Sequence, residues 1–190
     1  IRRQRQMCIR DRFGNRGLEE EVYDLTFGSR EWRLLDAGRI TRREANERML
    51  QRARSVGRGF EVEGVLDDWM SMLHPRRRMQ TLVEQLKQRG YCVYYLSNIP
   101  EDVLDLLMHR DFEGLFDGGV ASCEVKVNKP DPRIYQALLD KYHLRADECI
   151  FIDDRADNLV AASALGFGTY EMHGVGTLLR SLPTFGVSLH

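Results

Sequence analysis

The stretch Cys149-Ile-Phe-Ile-Asp-Asp-Arg-Ala-Asp-Asn158 decides the fold. Its first four residues are an unbroken apolar run of strand length, and two carboxylates stand directly at its end. The spacing predicts a helix over 156–165 behind it. A strand apolar on every residue is one buried on both faces, which is the situation in a parallel sheet covered by helices. Working back, Tyr91-Cys-Val-Tyr-Tyr-Leu96 is a second such run, preceded by a helix over 76–89 that Gly90 stops. A helix from Pro100, a short strand at Gly119-Val-Ala-Ser122 and a helix from Pro132 to Tyr142 lie between the two runs. Phe167 to Met172 reads as a last strand. Strands alternating with helices predict an α/β, Rossmann-like parallel sheet.

Upstream of His74-Pro75 the pattern is different. Apolar residues at helical spacing predict helices over 18–27, 29–37, 41–57 and 60–73, the third opened by a capping box, Thr41-x-x-Glu44. Four helices with no strand between them make a helical subdomain. The expected division is a leader over residues 1–14, non-native or disordered, a helical cap over 15–75 and an α/β core over 76–190.

Composition excludes several classes. The chain has 190 residues, 43% hydrophobic, with a net charge of −1. That is enough to bury a core, and no stretch approaches the roughly 18 apolar residues of a membrane span. The near-neutral total hides 15 Arg against 9 acidic residues in positions 1–58, a net of +6. These arginines alternate with glutamates, as in Thr41-Arg-Arg-Glu-Ala-Asn-Glu-Arg48, which favours a solvated helical face over a nucleic-acid surface. Four cysteines lie far apart with no CxxC pair, as expected of reduced thiols in a cytoplasmic protein. The expected partner is a small molecule, with neither nucleic acid nor membrane.

In an open parallel sheet, ligands bind beyond the carboxyl ends of the strands. The first strand end offers Ser97-Asn98, a hydroxyl and free amides before a helix, which is either a small anion site or a helix-entry turn. The second offers Asn128-Lys129-Pro130-Asp131-Pro132. Here Asp131 and Pro132 suit a helix start, and Lys129 either neutralises a phosphate or is an exposed lysine in a turn. The third offers Asp153-Asp154, with Asp157 and Asn158 in the next turn. Adjacent carboxylates repel unless a cation or strong donors lie between them. Oxygen ligands with an open face suit Mg²⁺, and the alternative is an acidic helix N-terminus.

Leu96-Ser-Asn98, Lys129-Pro-Asp-Pro-x-Ile-Tyr135 and Phe151-Ile-Asp-Asp-x-x-Asp-Asn158, in that order, resemble motifs II, III and IV of the haloacid dehalogenase (HAD) superfamily. The resemblance is to its phosphatase branch with a helical cap, similar to sugar-phosphate phosphatases. It implies a Mg²⁺-dependent phosphomonoester hydrolase acting through an aspartyl-phosphate. Ser97 and Asn98 would bind the phosphoryl group with Lys129, Asp154 would supply a metal carboxylate, and Asp153 would be a second metal ligand or a supporting group. Asp157 and Asn158 would support the site. A non-catalytic binder of a phosphorylated ligand and a dehalogenase of the same superfamily are the alternatives.

The family's first motif, an apolar strand ending in the nucleophilic aspartate, has no counterpart that fits. Asp11-Arg-Phe-Gly-Asn15 has one residue too many before Gly-Asn, and only Met7-Cys-Ile9 is apolar ahead of it. The nucleophile is therefore left unassigned. The first core strand is expected to be missing and the chain, as a truncated record, to be inactive.

Overall fold

The computed structural model describes residues 9, 10 and 12–189. The four expected cap helices are present as α1 (Arg16–Leu25), α2 (Arg30–Asp36), α3 (Arg42–Ser55) and α4 (Gly59–Asp68), the last extended by a 3₁₀ turn, Trp69–Met72. Their starts follow from side chains that satisfy the orphan amides of the first turn. Asn15 accepts from the Leu18 amide, Ser29 from the Trp32 amide, and the Thr41–Glu44 capping box closes on both sides. Inside, Phe27, Trp32 and Trp69 meet edge to face, with the Trp32 and Trp69 centroids 5.1 Å apart, the favoured arrangement for aromatic quadrupoles. Ile9 is helical and 2% exposed, within this same apolar cluster, while Arg12 donates to the Gly64 carbonyl and pairs with Asp68.

The cap is not separate from the rest. Its cluster runs on into Ile99, Val103 and Leu107, residues at or within α6 (Glu101–Arg110), the helix that follows the first core strand. At the same junction the Arg42 guanidinium lies 5.0 Å from the Trp32 centroid and 5.4 Å from that of Trp69. It makes a two-point pair with Asp102 at 2.8 and 3.1 Å.

The core is α/β with parallel strands, as expected, but its strands form two pairs. β1 (Tyr94–Ser97) pairs with β2 (Gly118–Ala121), and β3 (Ile150–Asp153) pairs with β4 (Gly168–Glu171). Among the described residues neither β1 nor β3 pairs on its second edge. Helix α8 (Pro132–Tyr142) joins the two pairs from one face. Its Ile134, Tyr135, Leu138 and Leu139 share a cluster with Val120 of one pair and Phe151 of the other. From the other face, Leu82 of α5 (Arg77–Gln88) meets Leu178 of α10 (Val175–Ser181), with Tyr170 of β4 against them. The remaining helices are a short α7 (Ser122–Val125) and α9 (Ala156–Ala164).

β1 is shorter than the apolar run suggests and is shifted toward Ser97. Val93 is held by Asp117 instead of by a strand partner: its amide donates to Asp117 Oδ2 at 2.8 Å, and its carbonyl accepts from the Asp117 amide at 2.9 Å. Among the described residues no helix is long and apolar enough to cross a membrane.

Candidate active site

The site is assembled around one ammonium group. Lys129 Nζ donates to the Leu96 carbonyl at 2.7 Å and to Asp153 Oδ2 at 2.6 Å. Leu96 lies in β1 and Asp153 closes β3, so this one side chain ties the carboxyl ends of the two strand pairs together. Both members of the ion pair are more than nine-tenths buried, with side-chain exposures of 9% and 8%. An ammonium carries three N–H donors; two are used in these bonds, and the Phe151 ring centroid lies 5.1 Å from the nitrogen.

Lys129 is held from behind by Asn98. The Asn98 amide group donates to the Lys129 carbonyl at 3.0 Å and accepts from the Lys129 amide at 2.7 Å. Asn98, expected to bind substrate, thus has both ends of its side chain occupied by the Lys129 peptide, because an amide is the right shape to pair with another amide. Ser97 ends β1 opposite Ala121, and its hydroxyl has no protein partner among the described residues. Beside it the buried Ser122 accepts from the Ile99 amide at 2.9 Å and makes a short contact to the Asp36 carbonyl. That pins the turn after β1 both to β2 and to the end of cap helix α2.

The two carboxylates at the end of β3 differ. Asp153 was expected to be a second metal ligand or a supporting group; in the structure both of its oxygens accept protein hydrogen bonds. Oδ2 holds Lys129, and Oδ1 accepts from Asn158 Nδ2 at 3.0 Å and from the Arg155 amide at 2.9 Å. This makes Asp153 a supporting group that orients the lysine. Asn158 is 3% exposed, and its carbonyl accepts from the Tyr135 hydroxyl at 2.9 Å. Burial and then the negative charge of Asp153 push the Tyr135 hydroxyl well above its ordinary range, so it stays neutral and able to donate. Tyr135 and Ser122 are members of this network that sequence reasoning did not single out. Tyr135 was visible only as part of a motif, and Ser122 carried no signal. Asp157, expected to support the site, pairs instead with Arg155, whose hydrogen bond holds its carboxyl below the usual value.

Asp154 follows Asp153 in the turn after β3, next in the chain to the carboxylate that pairs with Lys129. Among the described residues no group of three or more His, Cys, Asp or Glu side chains could hold a metal ion. Mg²⁺ needs several oxygens at near-octahedral positions, so the described residues do not by themselves make a Mg²⁺ site. Asp11, Met7 and Cys8, the positions weighed for a nucleophile and its strand, lie outside the described residues.

Residues 10–166 match the haloacid dehalogenase-like hydrolase family. The chain is 33% identical over 140 residues to the sesquiterpene phosphatase astK of Aspergillus oryzae, across 73% of this chain and 70% of that protein. It is 32% identical over 95 residues to (S)-2-haloacid dehalogenase 4A of Burkholderia cepacia, across 50% of this chain and 41% of that protein. The chain spans only 23% of another relative, the bifunctional epoxide hydrolase 2 of Mus musculus. A HAD family enzyme of Bacteroides thetaiotaomicron, solved with magnesium and inorganic phosphate, superposes with a TM-score of 0.63 at 24% identity, over 90% of this chain and 86% of that one. That likeness speaks for the fold. Matched over most of its length and carrying the Lys129 and Asp153 network at its strand ends, the chain belongs to the haloacid dehalogenase-like hydrolase family.

Proposed function

We propose that the reaction served by this chain is hydrolysis of a phosphate monoester of a small metabolite, such as a sugar phosphate. The observation that carries this reading is Lys129, a buried ammonium fixed at the carboxyl ends of both strand pairs. The Ser97 hydroxyl and that ammonium are the groups that would meet two oxygens of a phosphoryl group. Fixed donors placed where negative charge accumulates lower the barrier without reorganising during the reaction. Asp153 and Asn98 take no part in bond making; they set the ammonium and its peptide.

An aspartyl-phosphate route needs an attacking aspartate from outside the described residues, and we expect no turnover without it. Mg²⁺ belongs to this reading as an ion that Asp154 would help to hold, with further oxygens from outside the described residues. When bound, it would neutralise phosphoryl charge.

The test is release of p-nitrophenol from p-nitrophenyl phosphate with Mg²⁺, by this chain and by the chain extended with an apolar strand ending in Asp-x-Asp. Activity that appears on extension and falls at least a hundredfold in Ser97→Ala supports the proposal. Phosphate binding without hydrolysis in either form would instead indicate a non-catalytic binder. The likeness to haloacid dehalogenase 4A keeps a second reading in view, and halide release from a 2-haloacid, unaffected by a chelator, would replace the phosphatase reading with it.

A further inference from the structure

A second concentration of positive charge lies away from Lys129. Cap helix α2, the loop after it and the 126–133 segment enclose a cleft of about 270 Å³. Arg30, Arg33, Arg39, Lys126 and Arg133 line it, with Asp131 as the one carboxylate, while Ser97, Lys129, Asp153 and Asp154 do not. Asp131 is already neutralised, since Arg133 pairs with it at 2.7 Å and holds its carboxyl down to about 2.

The other four cations are treated differently from the arginines on the rest of the cap. Arg42, Arg43, Arg52 and Arg54 each face a carboxylate. Around the cleft, carbonyl oxygens hold the side chains instead. Arg39 donates twice to the Lys126 carbonyl, at 3.2 and 3.0 Å, Lys126 Nζ donates to the Gly38 carbonyl at 3.1 Å, and Arg33 donates to the Gly28 carbonyl at 2.8 Å. Arg30 has no partner among the described residues. A carbonyl orients a cation without cancelling its charge, so the positive potential of the cleft remains for a ligand.

Two backbone features serve the same arrangement. Lys126 has φ +62°, a left-handed conformation uncommon outside glycine,, and it turns its ammonium over Gly38. A Cβ on Gly38, itself at φ +58°, would lie 2.7 Å from that nitrogen. Asn128, also in the lining, gives its amide to the Arg33 carbonyl at 2.8 Å, but its Oδ1 is buried with no partner among the described residues. That buried acceptor carries a desolvation cost.

We propose that this cleft between cap and core is an anion-binding site for a small phosphate compound, formed by residues other than Ser97, Lys129, Asp153 and Asp154. Its size suits a single small metabolite. The inference does not rest on the phosphatase reading, since binding here needs neither the nucleophile nor turnover.

Isothermal titration of the full chain with inorganic phosphate at low salt tests it. In a Ser97→Ala background, which weakens the site at Lys129, the added Arg39→Gln/Lys126→Gln double change should reduce phosphate binding at least tenfold relative to Ser97→Ala alone. Arg30→Gln removes a side chain with no partner to lose, so it gives the same reading should the double variant fail to fold, with an expected weakening of about threefold or more. Affinity should fall as salt is added. Unchanged binding in the cleft variants, or binding abolished by Ser97→Ala, would overturn the proposal.

Discussion

Replacing Lys129 by Met separates the role of its charge from that of its bulk. The methionine keeps most of the apolar stem and removes the ammonium that joins the Leu96 carbonyl to Asp153. What remains is a carboxylate with 8% side-chain exposure, deprived of its counter-ion but still accepting from Asn158 and the Arg155 amide. Breaking one partner of a buried ion pair costs about 3–5 kcal/mol. The two remaining donors place this case at the lower end, about 3 kcal/mol. With a urea slope of about 2 kcal/mol per molar, the unfolding midpoint followed by circular dichroism should fall by about 1.5 M. The double change Lys129→Met/Asp153→Leu should recover more than half of that loss, because no buried charge is then left uncompensated. Salt up to about 0.5 M should leave the effect in place, since a pair this buried is screened little. A midpoint shift under about 0.3 M in the single variant, or a double variant no better than the single, would refute the view that this pair is desolvated and holds the two strand pairs together.

Trp32→Ala should cost about 3–5 kcal/mol, the usual range for removing a fully buried aromatic, and proteolysis should then cut the cap before the core; an intact cap at low protease would count against its dependence on the aromatic cluster. Asp131 caps α8 through the Arg133 amide, so Asp131→Ala should destabilise by about 1 kcal/mol at pH 7. Because the folded pKa of Asp131 is depressed to about 2, the stability it contributes is present above its unfolded value of about 3.9 and is lost as pH falls through about 2. The gap between parent and variant in urea midpoint should therefore close between pH 4 and pH 2, and a gap that widens there would contradict the assignment.

Much of this was legible before any coordinates. The helix starts at Thr41 and Pro132 are local signals, and α3 and α8 begin where these residues place them. Strand ends followed by helices brought the lysine loop and the Asp153-Asp154 pair to one end of the core, since topology alone dictates where ligands meet such sheets. What could not be read was the pairing within that end. Asp153 could be read as a second metal ligand or as a support, and only its tertiary contact shows that it pairs with Lys129. An asparagine at a strand end looks like a ligand donor, yet Asn98 closes on a peptide 31 residues away. These are choices made by tertiary contact, invisible to spacing. α10 was not foreseen either, for its seven residues begin after Gly174 without a capping side chain. The interruption between β1 and β3, by contrast, lies among the described residues where the sequence leaves the first core strand unaccounted for.

The tryptophans offer a consequence of their own. The chain contains two, and both lie within a few ångströms of each other beneath Arg42, at the joint where the helical cap meets α6. Intrinsic fluorescence of this protein is therefore a local probe. It reports the environment of two indoles packed edge to face beside a guanidinium and is blind to the strand ends where Lys129 sits. Emission maximum and quenching by iodide would follow the opening of that joint as a single signal, with no dye or label to attach. Comparison with far-ultraviolet dichroism, which averages over every helix, would show whether the joint loosens before the rest of the molecule melts.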